Sequence, residues 1–469
     1  MKRLLSTSHQ RKLALIEHLF LNPHQKTKDI TQVLGYNTVT LTKDITEINM
    51  MLDDCGIVQA ADFSYSIKFF HTRNIEYIYR RFLQESFEFN ILRELIFQSY
   101  DTIDDLAEIL YTSPSNLRRS IHKINDVLEL EHGFKIGTLP VRFEGPDDNI
   151  INFNIYFLRE YYTVPEKFLT ESQRKFYWRL YRSSKITTIN LDAVTFQEFC
   201  FYLYGITMRA KQIDLFNQTK KKPIFNAMLN YLVPYKRLFG VELNQNFLLQ
   251  IESIFENTHY KFSFDELMED VTNDFETRDL YNKINKVITL ISQKIDIECI
   301  DREELVLYLY NITQLNYGNN TIIFPKYDFF ISKIAIRYPG FKEFIYGYVE
   351  AIVGPNKVAE FLYHLLIRWP ELQKYMRHFP PKMSVGLLIN ESKKHVIYIK
   401  EYIEETFPKM FDIRIINEKQ LKKGLSLSLI ITDHRPQAET TIPLTSCSFI
   451  PTDNQLDMIH SYYRKWLKG

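Results

Sequence analysis

Two helical patterns separated by a short break stand out at residues 102–132. Ile103, Leu106, Ala107, Ile109 and Leu110 recur at the spacing that gives a helix one apolar face. Leu117, Ile121, Ile124 and Leu128 do the same after Tyr111-Thr112. Ser113 is placed to cap the second helix, and Pro114 to fill its first position, where a missing N–H costs nothing. Ser115, Asn116, Arg118, Arg119 and Lys123 are left on the other faces. A helix entering a DNA major groove needs this division, apolar behind and short polar or cationic in front. A plain two-helix hairpin carries the same pattern, so the residues that follow decide between the two. After Gly133, F-K-I-G-T-L-P-V-R-F-E-G-P reads as a short β-hairpin with Lys135 and Arg142 positioned to meet phosphates, which makes the block a winged helix-turn-helix.

The arrangement is readable a second time upstream. Leu13, Ile16, Leu19 and Phe20 give residues 10–21 an amphipathic helix that ends before Asn22-Pro23. Thr27 is expected to cap the next helix, and Gly35 to close it from the left-handed region. Asn37 opens a third helix in which Val39, Leu41, Ile45, Ile48 and Leu52 supply apolar contacts, with Thr38, Thr40, Thr42 and Lys43 in front. Residues 57–70 are expected to form its wing. Two such units in tandem would let one chain touch neighbouring stretches of groove, raising affinity through effective concentration. Between them, residues 74–100 read as two packing helices, with Arg80 and Arg81 on a solvated face.

From Asn149 to about Pro380 helical periodicity is almost continuous. Its breaks fall at Thr163-Val164-Pro165, Lys220-Lys221-Lys222-Pro223, Tyr317-Gly318-Asn319-Asn320 and Gly354-Pro355-Asn356. The segments, among them 247–255, form two similar halves, near 165–280 and 285–380, each of a size for one helical bundle. After Pro380-Pro381 strands alternate with helices: strands at 383–389, 411–416, 425–432 and 442–450, helices at 392–406 and 453–467. That order argues for a parallel sheet covered on its faces. The expected fold class is therefore mainly α and multidomain. It comprises winged helix-turn-helix units at 1–72 and 73–162, helical domains at 163–283 and 284–381, and an α/β domain at 382–469.

Charge and composition then narrow the picture. The 58 Lys and Arg against 57 Asp and Glu leave a net charge of +1 over 469 residues, so any nucleic-acid surface is local. The first fifty residues are enriched in Lys and Arg. Cys55, Cys200, Cys299 and Cys447 lie far apart, which suggests neither a zinc site nor a disulfide framework and fits a reducing cytoplasm. No signal peptide is readable and no apolar run reaches membrane-spanning length. Metal-ligand spacings, a Gly-rich phosphate loop and a hydroxyl–histidine–carboxylate set do not stand out, so no cofactor, metal or catalytic residue is expected.

In the second helical half, Y-L-Y-N-I-T-Q-L-N, K-I-A-I-R-Y-P-G-F-K-E-F and N-K-V-A-E-F-L-Y-H-L-L resemble the phosphotransferase-system regulation domain. In that five-helix bundle, paired histidines take phosphate from sugar-transport phosphocarriers. Tyr338-Pro339 and residues 360–364 carry the likeness. With the tandem units, the whole chain resembles the Mga/AtxA family of Gram-positive virulence regulators, which add a terminal domain like sugar-transport enzyme IIB. The resemblance implies a cytoplasmic transcription regulator, expected to be an activator. It would bind double-stranded promoter DNA, A·T-rich or bendable, pair with itself through its C-terminal half, and take phosphate from the phosphocarrier HPr.

The chain departs from that pattern in places. Tyr202 and Tyr308 stand where leading histidines would be, and the second site of the first domain falls near Ser253, so only His364 matches as a phosphate acceptor. The loop Asn390-Glu391-Ser392 lacks the cysteine an enzyme IIB would phosphorylate. Ser392 reads as a helix cap and Cys447, inside the fourth strand, as core. Two other readings are an enzyme of the phosphotransfer chain and an RNA-binding antiterminator. The missing cysteine and scarce histidines speak against the first. The second would need a small β-rich RNA module where this N-terminus is helical.

Overall fold

Capping and apolar spacing set the first elements of the chain, and they do so twice. The computed structural model describes residues 1–183, 196–212, 232–241, 261, 263–314, 321–337, 341–378, 382–408, 410–422 and 426–466. The expectations on Lys220–Lys222, residues 247–255, Ser253 and Tyr338-Pro339 lie outside them. Helices α1 (Thr7–Leu21), α2 (Thr27–Leu34) and α3 (Thr38–Met51) are followed by antiparallel β2 (Cys55–Gln59) and β3 (Ser64–Phe69). A short strand that the pattern did not suggest, β1 (Gln25–Lys26), pairs with β3 and widens this wing to three strands. Helix α4 (Ile75–Glu85) leads to α5 (Phe87–Phe97), α6 (Ile103–Ile109), α7 (Pro114–His132) and a two-stranded wing, β4 (Lys135–Ile136) with β5 (Phe143–Glu144).

The two units correspond at a constant spacing of 76 residues. Buried Ile30, Leu41 and Ile48 match buried Leu106, Leu117 and Ile124. The N-caps Asn37 and Ser113 match, and each accepts an N–H three residues on, from Thr40 at 2.7 Å and Asn116 at 3.2 Å. Left-handed Gly35 (φ 69°) matches left-handed Tyr111 (φ 50°). One ion pair recurs with its charges reversed: Lys12 on α1 meets Glu47 on α3 at 2.6 Å, whereas Glu88 on α5 meets Lys123 on α7 at 2.7 Å. Exchanging first helices between the units would set Lys12 against Lys123, so the reversal favours each unit's own packing.

Some local expectations are corrected. Lys26, not Thr27, is the N-cap of α2, because the Asp29 carboxylate turns back to accept the Lys26 N–H at 3.4 Å. Val39 and Ile109 do not join the cores; they are 79% and 51% exposed, on the outward sides of α3 and α6. Arg80 and Arg81 are not a solvated face. Arg81 donates to the Met51 carbonyl and to Glu85, and the Nε of Arg80 is buried.

Helices α8 (Asp147–Tyr162), α9 (Glu171–Ser183), α10 (Phe196–Gln212) and α11 (Leu232–Phe239) share one hydrophobic core with the N-terminal units. The break at Thr163 holds, with that residue at φ 68°. A second core joins α12 (Phe264–Asn273), α13 (Phe275–Ile295), α14 (Arg302–Gln314), α15 (Lys326–Arg337), α16 (Phe341–Val353), α17 (Val358–Arg368) and α18 (Pro370–His378). It centres on Ile284, Ile288, Leu309, Leu365 and Trp369. The two bodies meet where Phe20 of α1 packs edge-on against Phe329 of α15, with ring centroids 5.3 Å apart.

The C-terminal residues form the expected parallel sheet. Strands β6 (Met383–Leu388), β7 (Phe411–Ile415), β8 (Leu429–Thr432) and β9 (Leu444–Ser446) lie in the order β7-β6-β8-β9. Helices α19 (Lys393–Thr406) and α21 (Asp453–Trp466) supply Ile399, Ile403 and Ile459 to its core. Ser392 caps α19, accepting from the His395 N–H at 3.4 Å. The fourth strand is shorter than its apolar run, so Cys447 falls one residue beyond it, yet it is buried. A short helix, α20 (Glu418–Lys422), was not legible in the pattern.

At the C-terminal edge of this sheet His434 hydrogen-bonds Asp433 at 2.5 Å and lies 3.5 Å from Glu418. The hydrogen bond to Asp433 holds the His434 pKa above its ordinary value. A raised folded pKa gives stability that is complete below the unfolded pKa of about 6.5 and is lost as pH rises through the folded value. The protein is therefore expected to lose thermal stability between about pH 6 and 8, and His434→Gln to flatten that dependence. The effect should be small at this half-exposed site, and an equally steep profile in the variant would exclude the assignment.

Candidate nucleic-acid interface

Helices α3 and α7 present corresponding faces. On α7 the buried side is Leu117, Ile121, Ile124 and Leu128, and the exposed side is Ser115, Asn116, Arg118, Arg119 and His122. On α3, Thr38, Val39, Thr42, Lys43 and Thr46 are exposed, while Thr40 is half-buried. Thr42 and Lys43 stand at the positions of Arg118 and Arg119, so the second unit carries the stronger cationic front. No carboxylate lies within ion-pair distance of Arg118 or Arg119 among the described residues, whereas Lys43 is 3.8 Å from Glu47. Ser113 and Asn116 shape the helix start: the Ser113 hydroxyl accepts the Asn116 N–H, and the Asn116 amide donates to Thr112 at 3.0 Å.

Lys123 sits elsewhere. Its ammonium donates to the Leu4 carbonyl at 2.6 Å and pairs with Glu88, so it braces α7 against the body of the unit. Lys135 is exposed on the second wing, across the ladder from Glu144. Arg142 is half-buried and donates to the Gln212 carbonyl at 3.4 Å, at the end of α10.

Each wing is locked to its helix by one asparagine. Asn49 of α3 accepts the Ile57 N–H at 2.8 Å and donates to the Ile57 carbonyl at 2.9 Å. Asn125 of α7, 76 residues on, holds Ile136 the same way at 2.7 and 3.0 Å. Ile136 is buried, so removing the amide strands two backbone groups without water. Asn125→Ala is expected to cost about 1–3 kcal/mol and to loosen the second wing. Urea unfolding measures this, and an unchanged midpoint would refute it.

Three exposed apolar or aromatic groups were not expected from the sequence to face outward here. Val39 faces outward near the start of α3, a position from which an apolar side chain can meet a thymine methyl. Leu139 is 80% exposed at the second wing's tip, and Tyr111 is 97% exposed in the turn between α6 and α7. Tyr111 keeps positive φ where its counterpart is glycine, a local strain of the kind found at functional turns. Only the 76-residue repeat, matching Tyr111 to Gly35, would have flagged it.

In the helical body, the Tyr308 hydroxyl lies 3.0 Å from His364 Nδ1. The Arg368 guanidinium covers the Tyr308 ring at 4.0 Å. Burial, with Lys326 and Arg368 nearby, pushes the His364 pKa down to about 4, so its imidazole is neutral at neutral pH. Tyr202 is half-buried on α10.

Two units of three helices and a wing, each with an outward polar second helix, define a tandem winged helix-turn-helix protein. Residues 71–159 match the Mga helix-turn-helix domain, and with that domain the chain is a DNA-binding transcription regulator similar to that family. It is 24% identical over 456 residues, 90% of each chain, to a protein of Streptococcus pneumoniae serotype 4 (strain ATCC BAA-334 / TIGR4) named "Putative trans-acting regulator". Among the described residues no helix is long and apolar enough to cross a membrane.

Proposed function

We propose that the protein is a transcription activator that reads double-stranded promoter DNA chiefly with α7 and controls that contact from its helical body. The exposed pair Arg118 and Arg119, without carboxylate partners, carries the reading. Arginine at such positions reaches guanine O6 and N7 or a phosphate, and Ser113, Ser115 and Asn116 sit at the helix start. Lys135 serves as a wing contact to phosphate, and Thr38, Thr40 and Lys43 as a weaker second set on α3. Lys123 and Arg142 are spent on contacts within the chain and contribute by holding α7 and the second wing in place. With few base readers over two units, recognition draws on DNA shape and bendability, hence A·T-rich sites.

The body grips this apparatus directly. Buried Arg209 of α10 donates to Asp147 at 2.7 Å and to the Phe143 carbonyl of the second wing at 2.9 Å. A shift of α10 therefore reaches the wing. Phosphate from HPr at His364 would meet Lys326 and Arg368 and add about 1.5 to 2 negative charges. Incubation with HPr and labelled donor tests this; label that persists in His364→Ala would remove the site.

Self-association through the C-terminal domain fits an apolar patch there. Phe449 is 63% exposed and stacks on His395 with centroids 4.0 Å apart, beside exposed Tyr398 and Ile450. Sedimentation velocity of Phe449→Asp should show a monomer where the native chain shows a dimer. An enzyme of the phosphotransfer chain would need a nucleophile in the loop before α19, where Ser392 is engaged as the cap.

A further inference from the structure

A cavity of about 250 Å³ lies between the DNA-binding block and the helical body. Its walls come from α4, α8, α10 and residues 321–326, so elements of both bodies meet at one space. Three cations line it: Arg80 of α4, Arg159 of α8 and Lys326 of α15. Of its three carboxylates, Glu160 is occupied by the N–H groups of Ile322, Ile323 and Phe324 at 2.6, 2.9 and 3.2 Å. Glu198 lies 3.8 Å from Arg159. Glu76 is exposed and stays beyond ion-pair distance of Arg80 and Lys326.

Two of the lining residues each hold one polar atom buried behind the cavity surface without a hydrogen-bond partner, Arg80 Nε and Thr163 Oγ1. Lys326 has no carboxylate within ion-pair distance among the described residues, and burial pushes its pKa down to about 8. A desolvated cation without a carboxylate partner is costly to keep unless something else satisfies it. Tyr79, Tyr156, Phe201 and Phe324 give the space aromatic walls.

We propose that this cavity is the binding site of a small oxyanion, a phosphate or carboxylate on a body of a few carbons, and that its occupancy sets DNA affinity. Arg80 and Arg159 offer planar forks suited to oxyanion geometry, and Lys326 a point charge. The aromatic walls take the carbon body. The ligand touches α4, which joins the two units, and α8, which leaves the second wing. It therefore biases how the units sit on the body, and its effect on DNA binding must be matched by an equal effect of DNA on its own affinity. The coupling rests on the DNA-binding reading; the site itself does not.

The test titrates the full chain, without DNA, with inorganic phosphate, glycerol 3-phosphate, malate and neutral glycerol, followed by calorimetry and thermal melting. The expected result is saturable binding of at least one anion in the millimolar range or tighter, none of glycerol, and a rise in melting temperature. Which anion binds separates the phosphate from the carboxylate. Lys326→Met keeps the packing and removes a charge that has no carboxylate partner, only the face of the Tyr327 ring 4.5 Å away. It should melt higher than the native chain without ligand while losing about tenfold or more in anion affinity. A purely structural lysine would instead lower the melting temperature. Arg80→Gln should also weaken the anion, and His364→Ala should leave it unchanged. No saturable anion binding, or equal binding in Lys326→Met and Arg80→Gln, overturns the site. Binding that leaves duplex affinity unchanged at saturation overturns the coupling alone.

Discussion

Replacing Arg118 and Arg119 together by alanine is expected to cost about 1–3 kcal/mol of DNA affinity for each arginine that reads a base. An arginine that meets only phosphate would instead lower the salt slope by about one. The two outcomes are separable, because loss of a base reader also relaxes sequence preference while loss of a phosphate contact weakens all duplexes alike. Both side chains are exposed and hold no ion pair, so the double variant should fold as the native chain does. Lys123→Ala is the contrasting case. It strands Glu88 beside the Leu4 carbonyl and should lower stability without altering the salt slope.

The largest stability effect is expected from Arg11→Ala. Asp44 is fully buried on α3, and Arg11 of α1 grips it with two hydrogen bonds, at 2.5 and 2.6 Å. The hydrogen bonds it donates to Asp44 hold the Arg11 pKa above its ordinary value. Removing one partner of a buried pair leaves an uncompensated charge and costs about 3 kcal/mol or more. Denaturant unfolding should show it, and Arg11→Ala together with Asp44→Asn should recover part of the loss. A single variant as stable as the native chain would mean that Asp44 is hydrated in solution.

Helix starts and strand order were legible because they rest on local chemistry. Ser113 and Ser392 cap the helices they were expected to cap, Asn37 opens α3 as expected and is its N-cap, and Gly35 takes the left-handed position. The alternation of strands and helices after residue 381 was enough to imply a parallel sheet, whose central strands β6 and β8 are buried on both faces. What failed depended on contacts distant in sequence. Lys123 reads as a front-face cation until Glu88 and Leu4 are placed beside it. Arg80 reads as solvated until α8 and residues 321–326 enclose it. Val39 fits an apolar helix period, yet two more apolar faces are needed before α3 has a defined inside. The 76-residue repeat was present in the sequence all along. It is hard to see because Gly35 matches Tyr111 and Glu47 matches Lys123, and the structure makes those pairs equivalent by position.

Whether α7 is the reading head is decided by fluorescence anisotropy of the full chain on an A·T-rich duplex across a salt series. The native chain is expected to bind with a steep salt slope, and Arg118→Ala/Arg119→Ala to bind more weakly with a shallower one. Equal affinity and equal slope in the two proteins would contradict it and move the contact to the face carrying Thr38, Thr42 and Lys43.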